Sequence, residues 1–124
     1  MKLTFLGTGT SQGVPVIGCE CEVCQSEDTK DQRLRTAAMI ALNQSTIVFD
    51  TGPDFRQQML RAKVKEVSAI LFTHEHKDHV AGLDDVRAFN FRTKAPMPIY
   101  CAEQVQESLK QEYKYIFDDQ YSYP

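Results

Sequence analysis

The chain has 124 residues, which suits one domain over residues 1–124 and is too short for two. Hydrophobic residues make up 42% and charged residues 25%, so collagen-like, coiled-coil and disordered compositions are excluded. The formal charge of −3 argues against a protein held to nucleic acid by bulk electrostatics, and the apolar runs are too short to span a membrane. With no signal-peptide core after Lys2, we expect a cytoplasmic protein.

Strand patterns dominate the first part of the chain. Residues 2–6 predict a strand, and residues 36–43 and 45–50 predict two more, joined as a hairpin by the turn-forming Asn43-Gln44-Ser45. Pro53 stops the third strand and Asp54 is a good N-cap, so a helix of about ten residues is expected next.

Strands then alternate with helices. Residues 67–73 form an apolar run typical of a strand covered on both faces, and it ends at His74. Residues 83–91 predict a short helix, residues 99–101 a strand, and the apolar stripe from Val105 to Ile116 a final helix. The order predicts an α/β fold on a mixed sheet, with ligand chemistry at the strand ends.

All three histidines of the chain follow this buried strand, in Thr73-His74-Glu75-His76-Lys77-Asp78-His79. Two histidines separated by one residue can converge on one metal ion, and Asp78 and His79 emerge one turn later, within reach of a second. Imidazole and carboxylate ligands favour zinc, manganese or iron over calcium. A polar loop with surface histidines is the weaker interpretation, because the cluster follows a buried strand and includes an acid.

The cysteines form a second cluster. Cys19, Cys21 and Cys24 lie together and Cys101 stands alone, which suits a metal site better than a disulfide framework in a reducing compartment. Three thiolates hold a structural zinc if a fourth ligand arrives from elsewhere. Cys101 is a conceivable fourth ligand, although its strand position favours a buried apolar role. Three thiols with no metal are the alternative.

Two further features are weaker. Gly7-x-Gly9-x-x-x-Gly13 follows a strand, but its third glycine is one position late for a dinucleotide-binding loop, so we expect a tight turn beside the metal pocket. Arg33 and Arg35 flank the cysteine segment, where they would contact a phosphate or form a solvated basic face.

The sequence His-x-His-x-Asp-His at a strand end resembles the hallmark of the metallo-β-lactamase-fold hydrolases. The resemblance continues through residues 5–15, the cysteine cluster and the turn Phe49-Asp50-Thr51-Gly52-Pro53-Asp54, so it spans residues 3–101. Together these segments are similar to the cyclic-phosphodiesterase branch associated with phosphonate breakdown, and more distantly to ribonuclease Z. The resemblance implies half of an αββα sandwich, with a mixed sheet and flanking helices.

The resemblance also implies roles for individual residues. His74 and His76 would bind one divalent ion, zinc or manganese, and Asp78 and His79 the second. Asp78 would also be catalytic, by orienting the hydroxide that bridges the metals, and Asp50 would lie behind the site and orient a ligand histidine. Cys19, Cys21 and Cys24 would hold one structural zinc.

One departure from the family pattern affects these expectations. The family completes its metal sites with later histidines and an aspartate, whereas no histidine follows His79 in this sequence. We therefore expect the N-terminal half of a longer hydrolase, with weakened metal retention. The aromatic residues near the end would then favour a homo-oligomer or association with the missing half; they are Tyr113, Tyr115, Phe117, Tyr121 and Tyr123.

Three functions follow from the sequence. The first is a metal-dependent hydrolase that cleaves small, including cyclic, phosphodiesters through a metal-bridging hydroxide. The second is a ribonuclease Z-like nuclease, which the cysteine cluster and the lack of a basic arm disfavour. The third is a metal-binding module without catalytic activity, because later ligands are missing. No membrane partner is expected.

Overall fold

The computed structural model describes residues 1–118. No helix in this part of the chain is long and apolar enough to cross a membrane. The regular elements are β1 (Lys2–Gly7), a 3-10 turn (Thr29–Asp31), β2 (Ala37–Leu42), β3 (Ser45–Phe49), α1 (Phe55–Arg61), β4 (Ala69–Leu71), α2 (Lys77–Val80), a 3-10 turn (Leu83–Val86), α3 (Arg87–Thr93), β5 (Ile99–Tyr100), α4 (Glu103–Glu112) and α5 (Lys114–Phe117).

The five strands form one mixed sheet in chain order, β1-β2-β3-β4-β5. β1, β2 and β3 are antiparallel, and the predicted hairpin turns at Asn43, whose φ of 48° lies in the left-handed region that asparagine tolerates. β3, β4 and β5 are parallel, so their carboxyl ends meet at one edge of the sheet. The α/β fold on a mixed sheet with flanking helices is confirmed.

The elements are shorter than the patterns predicted. Only Ala69–Leu71 of the apolar run 67–73 is paired as strand, and the outer parallel partner of β4, β5, has only two residues. The predicted helix over 83–91 is a 3-10 turn followed by α3, and the predicted last helix breaks at Tyr113, where φ is −113° and ψ is 43°. Apolar spacing locates an element but does not set where its hydrogen bonds end.

The predicted N-cap position of Asp54 before α1 is confirmed. Asp54 precedes the helix, but its carboxylate makes no capping bond. It accepts instead from the backbone N–H of Arg35 at 2.8 Å and from the Arg35 guanidinium at 2.9 Å. A charged donor that arrives from another segment outcompetes the local amide.

The hydrophobic core lies between the sheet and the helices. Val48 of β3 and Ile70 of β4 are fully buried and belong to one core cluster with residues of α1, α3 and α4. The predicted stripe of the last helix supplies Val105, Leu109 and Tyr113 to this core. Its packing fixes the sheet edge at which β3, β4 and β5 end.

The other face of the sheet is apolar and open. Leu3 and Phe5 alternate with the buried Leu6 along β1 and are 53% and 69% exposed. They pair with Ile40 and Ala38, and Tyr100 on the far strand is 61% exposed. An open apolar surface of this kind marks a site of association.

Candidate functional site

The histidine loop, residues 74–79, starts where the central strand ends. Leu71 is the last residue of β4, and Phe72 still donates its N–H to the Tyr100 oxygen of β5 at 2.9 Å. The chain then leaves the sheet and returns as the single turn α2. Residues at the carboxyl end of a parallel strand lie over the crevice where α/β proteins bind ligands.

Three predicted ligands converge in this loop. His74, His76 and Asp78 each offer one ligand atom, and these atoms lie within 4.8 Å of one another. His79 joins them from the side: its Nε2 is 3.2 Å from Asp78 Oδ2, and its ring centroid is 3.8 Å from that of His74. Nitrogen and oxygen donors gathered at this spacing fit zinc or manganese.

Asp50 lies next to the histidine loop, and its two carboxylate oxygens contact Thr73 and His79. It is only 4% exposed and has a φ of 63°, which turns its carboxylate toward the end of β4. Oδ1 accepts the backbone N–H of Thr73 at 2.8 Å, and Oδ2 is 2.8 Å from His79 Nδ1. Strained backbone held in place by such contacts is found at functional sites.

Thr73 is a site residue that the sequence analysis did not single out. Its hydroxyl is 2.8 Å from Asp50 Oδ2 and 3.0 Å from His74 Nδ1, so it lies between the carboxylate and a predicted ligand. The available signal was a polar residue between an apolar strand and the first histidine.

Helix α4 supports the loop from the outside. Gln104 donates to the Glu75 carboxylate at 2.9 Å, and Lys77 pairs with Glu112. Backbone and Gln104 hydrogen bonds lower the pKa of Glu75, and the Glu112 bond raises the pKa of Lys77. The intervening positions of the motif, which bind no metal in our interpretation, thus tie the loop to the scaffold.

Two glycines allow the loop to lie close to the strand ends. A Cβ on Gly52 would lie 2.2 Å from the Asp78 carbonyl oxygen, and a Cβ on Gly82 would lie 2.2 Å from the Gly52 oxygen. Thr51 N–H also donates to the His79 oxygen at 2.8 Å. Any larger residue at position 52 would push the Asp78 backbone away.

The cysteine loop, residues 16–26, gathers three thiols. The Sγ atoms of Cys19, Cys21 and Cys24 lie within 4.8 Å of one another, with Cys19 and Cys21 exposed. Hydrogen bonds from the Cys24 backbone and the Cys19 thiol lower the pKa of Cys21. The Val16 N–H favours the Cys24 thiolate, but burial and the two neighbouring thiols outweigh it and raise the pKa of Cys24. Three thiols gathered this closely form a ligand set typical of a structural zinc site.

Cys101, Arg35 and the glycine turn were also considered as parts of a site, and each has a structural role in the fold. Cys101 packs against the hydrophobic core, and burial raises the pKa of its thiol, in line with the apolar role. Arg35 bonds Asp54 and the Ser11 oxygen, so its guanidinium holds the fold together. The turn at Gly7 and Gly9 is required by contact with the backbone: a Cβ on Gly7 would lie 1.9 Å from the Arg35 oxygen.

Two of the aromatic residues near the end, Tyr113 and Tyr115, make hydrogen bonds within this chain. Tyr113 is buried and donates to the Val80 oxygen at 3.1 Å, so it packs within this chain. Tyr115 donates to Asp84 at 2.6 Å, and burial together with this bond raises its pKa to about 12. Tyr121 and Tyr123 lie outside the described residues.

Comparison with known proteins identifies the family. The profile of the beta-lactamase superfamily domain matches residues 45–123, which include the whole histidine loop. A Porphyromonas gingivalis protein named octanoyltransferase is 43% identical over 118 residues, which are 94% of this chain and 24% of that protein.

Solved structures share the fold. A diphosphatase from the PhnP family is 48% identical, with a TM-score of 0.88 over 93% of this chain and 46% of its own. Zinc-bound PqqB from Methylobacterium extorquens is 23% identical, with a TM-score of 0.77 over 95% of this chain and 42% of its own. The short form of human tRNase Z is 21% identical, with a TM-score of 0.64 over 98% of this chain and 42% of its own. The last two likenesses concern the fold alone.

The matched share of this chain is much larger than the matched share of its relatives. Nearly all of this chain is matched, but it spans a quarter of the Porphyromonas gingivalis protein and less than half of each solved structure named above. The predicted resemblance to the metallo-β-lactamase-fold hydrolases is confirmed.

Proposed function

The chain belongs to the beta-lactamase superfamily, and we propose that it forms the metal-binding part of a hydrolase that cleaves small phosphodiesters. The observation that carries the proposal is the convergence of His74, His76 and Asp78 within 4.8 Å at the end of β4. Similarity to a PhnP-family diphosphatase supports phosphorus–oxygen bond cleavage as the reaction class.

Each site residue has a proposed task. His74 and His76 hold one divalent ion, zinc or manganese, while Asp78 and His79 hold a second, with Asp50 fixing the His79 ring. Ions bound there supply Lewis acidity, which lowers the pKa of water and offsets charge on a phosphoryl oxygen. Asp78 also orients the attacking oxygen through its carboxylate. The cysteine loop binds one structural zinc.

The proposed partner of the open sheet face is a second β-sheet layer. Leu3, Phe5 and Tyr100 expose their apolar side chains there, as the inner layer of a two-sheet sandwich does before its partner is added. Covering this face would also exclude water from the ends of the strands, where the histidine loop lies.

A diesterase assay tests the proposal. A full-length protein that contains these 124 residues, loaded with Mn²⁺ or Zn²⁺, is expected to hydrolyse bis-nitrophenyl phosphate. Asp78→Ala should remove most of the turnover because it removes both a ligand and the orienting carboxylate. Asp31→Ala, in the 3-10 turn far along the chain from the motif, is the matched control and should retain it. Near-normal turnover in Asp78→Ala would reject the assignment.

Two other functions remain as outcomes of the same assay. Cleavage of a precursor transfer RNA in preference to a cyclic nucleotide would favour a nuclease; only the shared fold supports that function. Metal binding with no turnover of any diester would favour a non-catalytic module. Four ligands divided between two ions support this last possibility, since two side chains hold each ion only weakly.

A further inference from the structure

Thr73 lies between two groups that both contact its hydroxyl. Its Oγ1 is 2.8 Å from Asp50 Oδ2 and 3.0 Å from His74 Nδ1. A hydroxyl has one proton to donate and lone pairs with which to accept. Its proton therefore serves one of these contacts, and the other contact needs a proton from the partner.

The position of each proton follows from the chemistry of the partners. The Asp50 carboxylate offers only acceptor atoms, and its Oδ1 already accepts the Thr73 N–H at 2.8 Å. The Thr73 hydroxyl must donate to Oδ2, so it accepts from His74. The proton of a neutral His74 ring is then on Nδ1, and its Nε2 lone pair is free to bind a metal.

The same carboxylate acts on His79 without an intermediate. His79 Nδ1 is 2.8 Å from Asp50 Oδ2, so the His79 proton also belongs on Nδ1. The free Nε2 then faces the neighbouring ligand, 3.2 Å from Asp78 Oδ2. One buried carboxylate thereby sets the tautomers of two histidines that the proposed site assigns to different ions.

We propose that Thr73 is a positioning residue that relays the Asp50 carboxylate to His74 and holds that ring as the Nδ1–H tautomer. The inference rests on the metal-binding role proposed for His74. Outer-shell partners of ligand histidines fix the ring and its tautomer, and their loss costs about 10–100-fold in metal affinity. Thr73 is exposed whereas Asp50 is buried. The Thr73 hydroxyl therefore connects a buried, fixed carboxylate to a histidine ring nearer the surface.

Nitrogen-15 NMR of the histidine side chains tests the relay in the metal-free 124-residue chain, which has only three histidines. At about pH 8.5, His74 should have the Nδ1–H signature. Thr73→Val keeps the shape and the backbone N–H but removes the hydroxyl, so His74 should lose this signature. His79 should keep its own, because it contacts Asp50 directly.

Two matched variants separate the relay from a structural effect. Thr73→Ser restores the hydroxyl and should restore both the tautomer and the zinc affinity. Thr93→Val makes the same chemical change in α3, where the hydroxyl donates to the Phe89 oxygen at 3.0 Å, and should change neither. Zinc affinity, measured by competition with a chelating dye, should fall about 10–100-fold in Thr73→Val alone.

Three outcomes would overturn the proposal: His74 in the other tautomer in the unsubstituted chain, the Nδ1–H signature unchanged in Thr73→Val, or Thr73→Ser behaving like Thr73→Val. Neither readout needs turnover. Tautomers as expected here, with no diester hydrolysis by the full-length protein, would contradict the proposed reaction and leave the relay supported.

Discussion

The histidine loop and the cysteine loop each bring three potential metal ligands within 4.8 Å, but different contacts hold them. The histidine loop is bonded to distant segments: Asp50 after β3, and Gln104 and Glu112 of α4. Within residues 1–118, the hydrogen bonds of residues 16–26 connect residues of that loop or its immediate neighbours, as from Val16 N–H to Cys24 Sγ at 3.4 Å.

This difference separates two ways of building a metal site. The scaffold orients the histidine loop before any ion arrives, so binding there costs little ordering of the chain. The cysteine loop is ordered mainly by hydrogen bonds within its own turns. A bound ion would therefore supply most of the contacts that fix the positions of its three thiols. Substitutions in each loop test this contrast.

Asp50→Ala should have the largest effect, because three hydrogen bonds to Thr73 and His79 lose their acceptor. We expect zinc affinity at the histidine loop to fall by about 100-fold, at the upper end for outer-shell partners. Zinc binding by the cysteines should be unchanged. Titration with zinc, followed by histidine nitrogen and cysteine Cβ resonances, reads the two loops separately. Equal losses in both loops would show that they are not independent.

Gly52→Ala and Gly18→Ala compare the same change in the two regions. The new Cβ at position 52 meets the Asp78 oxygen at 2.2 Å, so we expect a loss of about 1–3 kcal/mol in the free energy of unfolding and weaker binding by the histidines. Gly18 has open space around it and a φ of 74°, so only backbone strain of about 1 kcal/mol should follow. Urea unfolding measures both. A larger loss in Gly18→Ala would contradict the view that the histidine loop is the more tightly packed.

Cys21→Ser should affect stability only when zinc is present. The substitution removes one of three thiolates, so the stabilisation that zinc binding adds to the folded chain is lost. With a chelator present, the variant and the unsubstituted chain should melt at the same temperature, and the histidine resonances should coincide. A stability difference that persists in the chelator would mean that the thiols pack the loop without metal.

The smallest expected effect is a difference between the reaction rates of two thiols, Cys21 and Cys101. In the metal-free chain, Cys21 should react faster with iodoacetamide than Cys101 does near pH 8. Hydrogen bonds from the Cys24 backbone lower the pKa of Cys21, whereas burial raises the pKa of Cys101. The difference should narrow as the pH rises and both thiols ionise. Peptide mass spectrometry after timed quenching measures both rates, and faster labelling of Cys101 would contradict the assigned environments.

Local sequence determined what was predictable in the fold. The hairpin at Asn43, the strand before His74 and the apolar stripe at Val105 and Leu109 all depend on spacing along the chain, and the structure contains each of them. The bounds and local contacts were harder to predict: β5 has only two residues, and a distant Arg35 occupies the Asp54 carboxylate. Such limits arise from segments that meet only after folding.

In the site, too, local spacing was predictable from the sequence and tertiary contacts were not. The convergence of His74, His76 and Asp78 was expected from their spacing, whereas their support was only partly visible. Asp50 was suggested by a family resemblance, but the hydroxyl of Thr73 and the bonds from Gln104 and Glu112 depend on tertiary packing. Residue type alone does not distinguish these side chains from ordinary polar surface.

The central claim is that three imidazoles and one carboxylate converge to bind divalent cations. A zinc titration of the unsubstituted chain, followed by the side-chain nitrogen resonances of His74, His76 and His79, tests it most directly. We expect the resonances of all three histidines to shift as zinc is added, and Asp78→Ala to weaken the zinc dependence of the His79 shift. Histidine resonances that stay fixed while only the cysteine Cβ resonances move would contradict it.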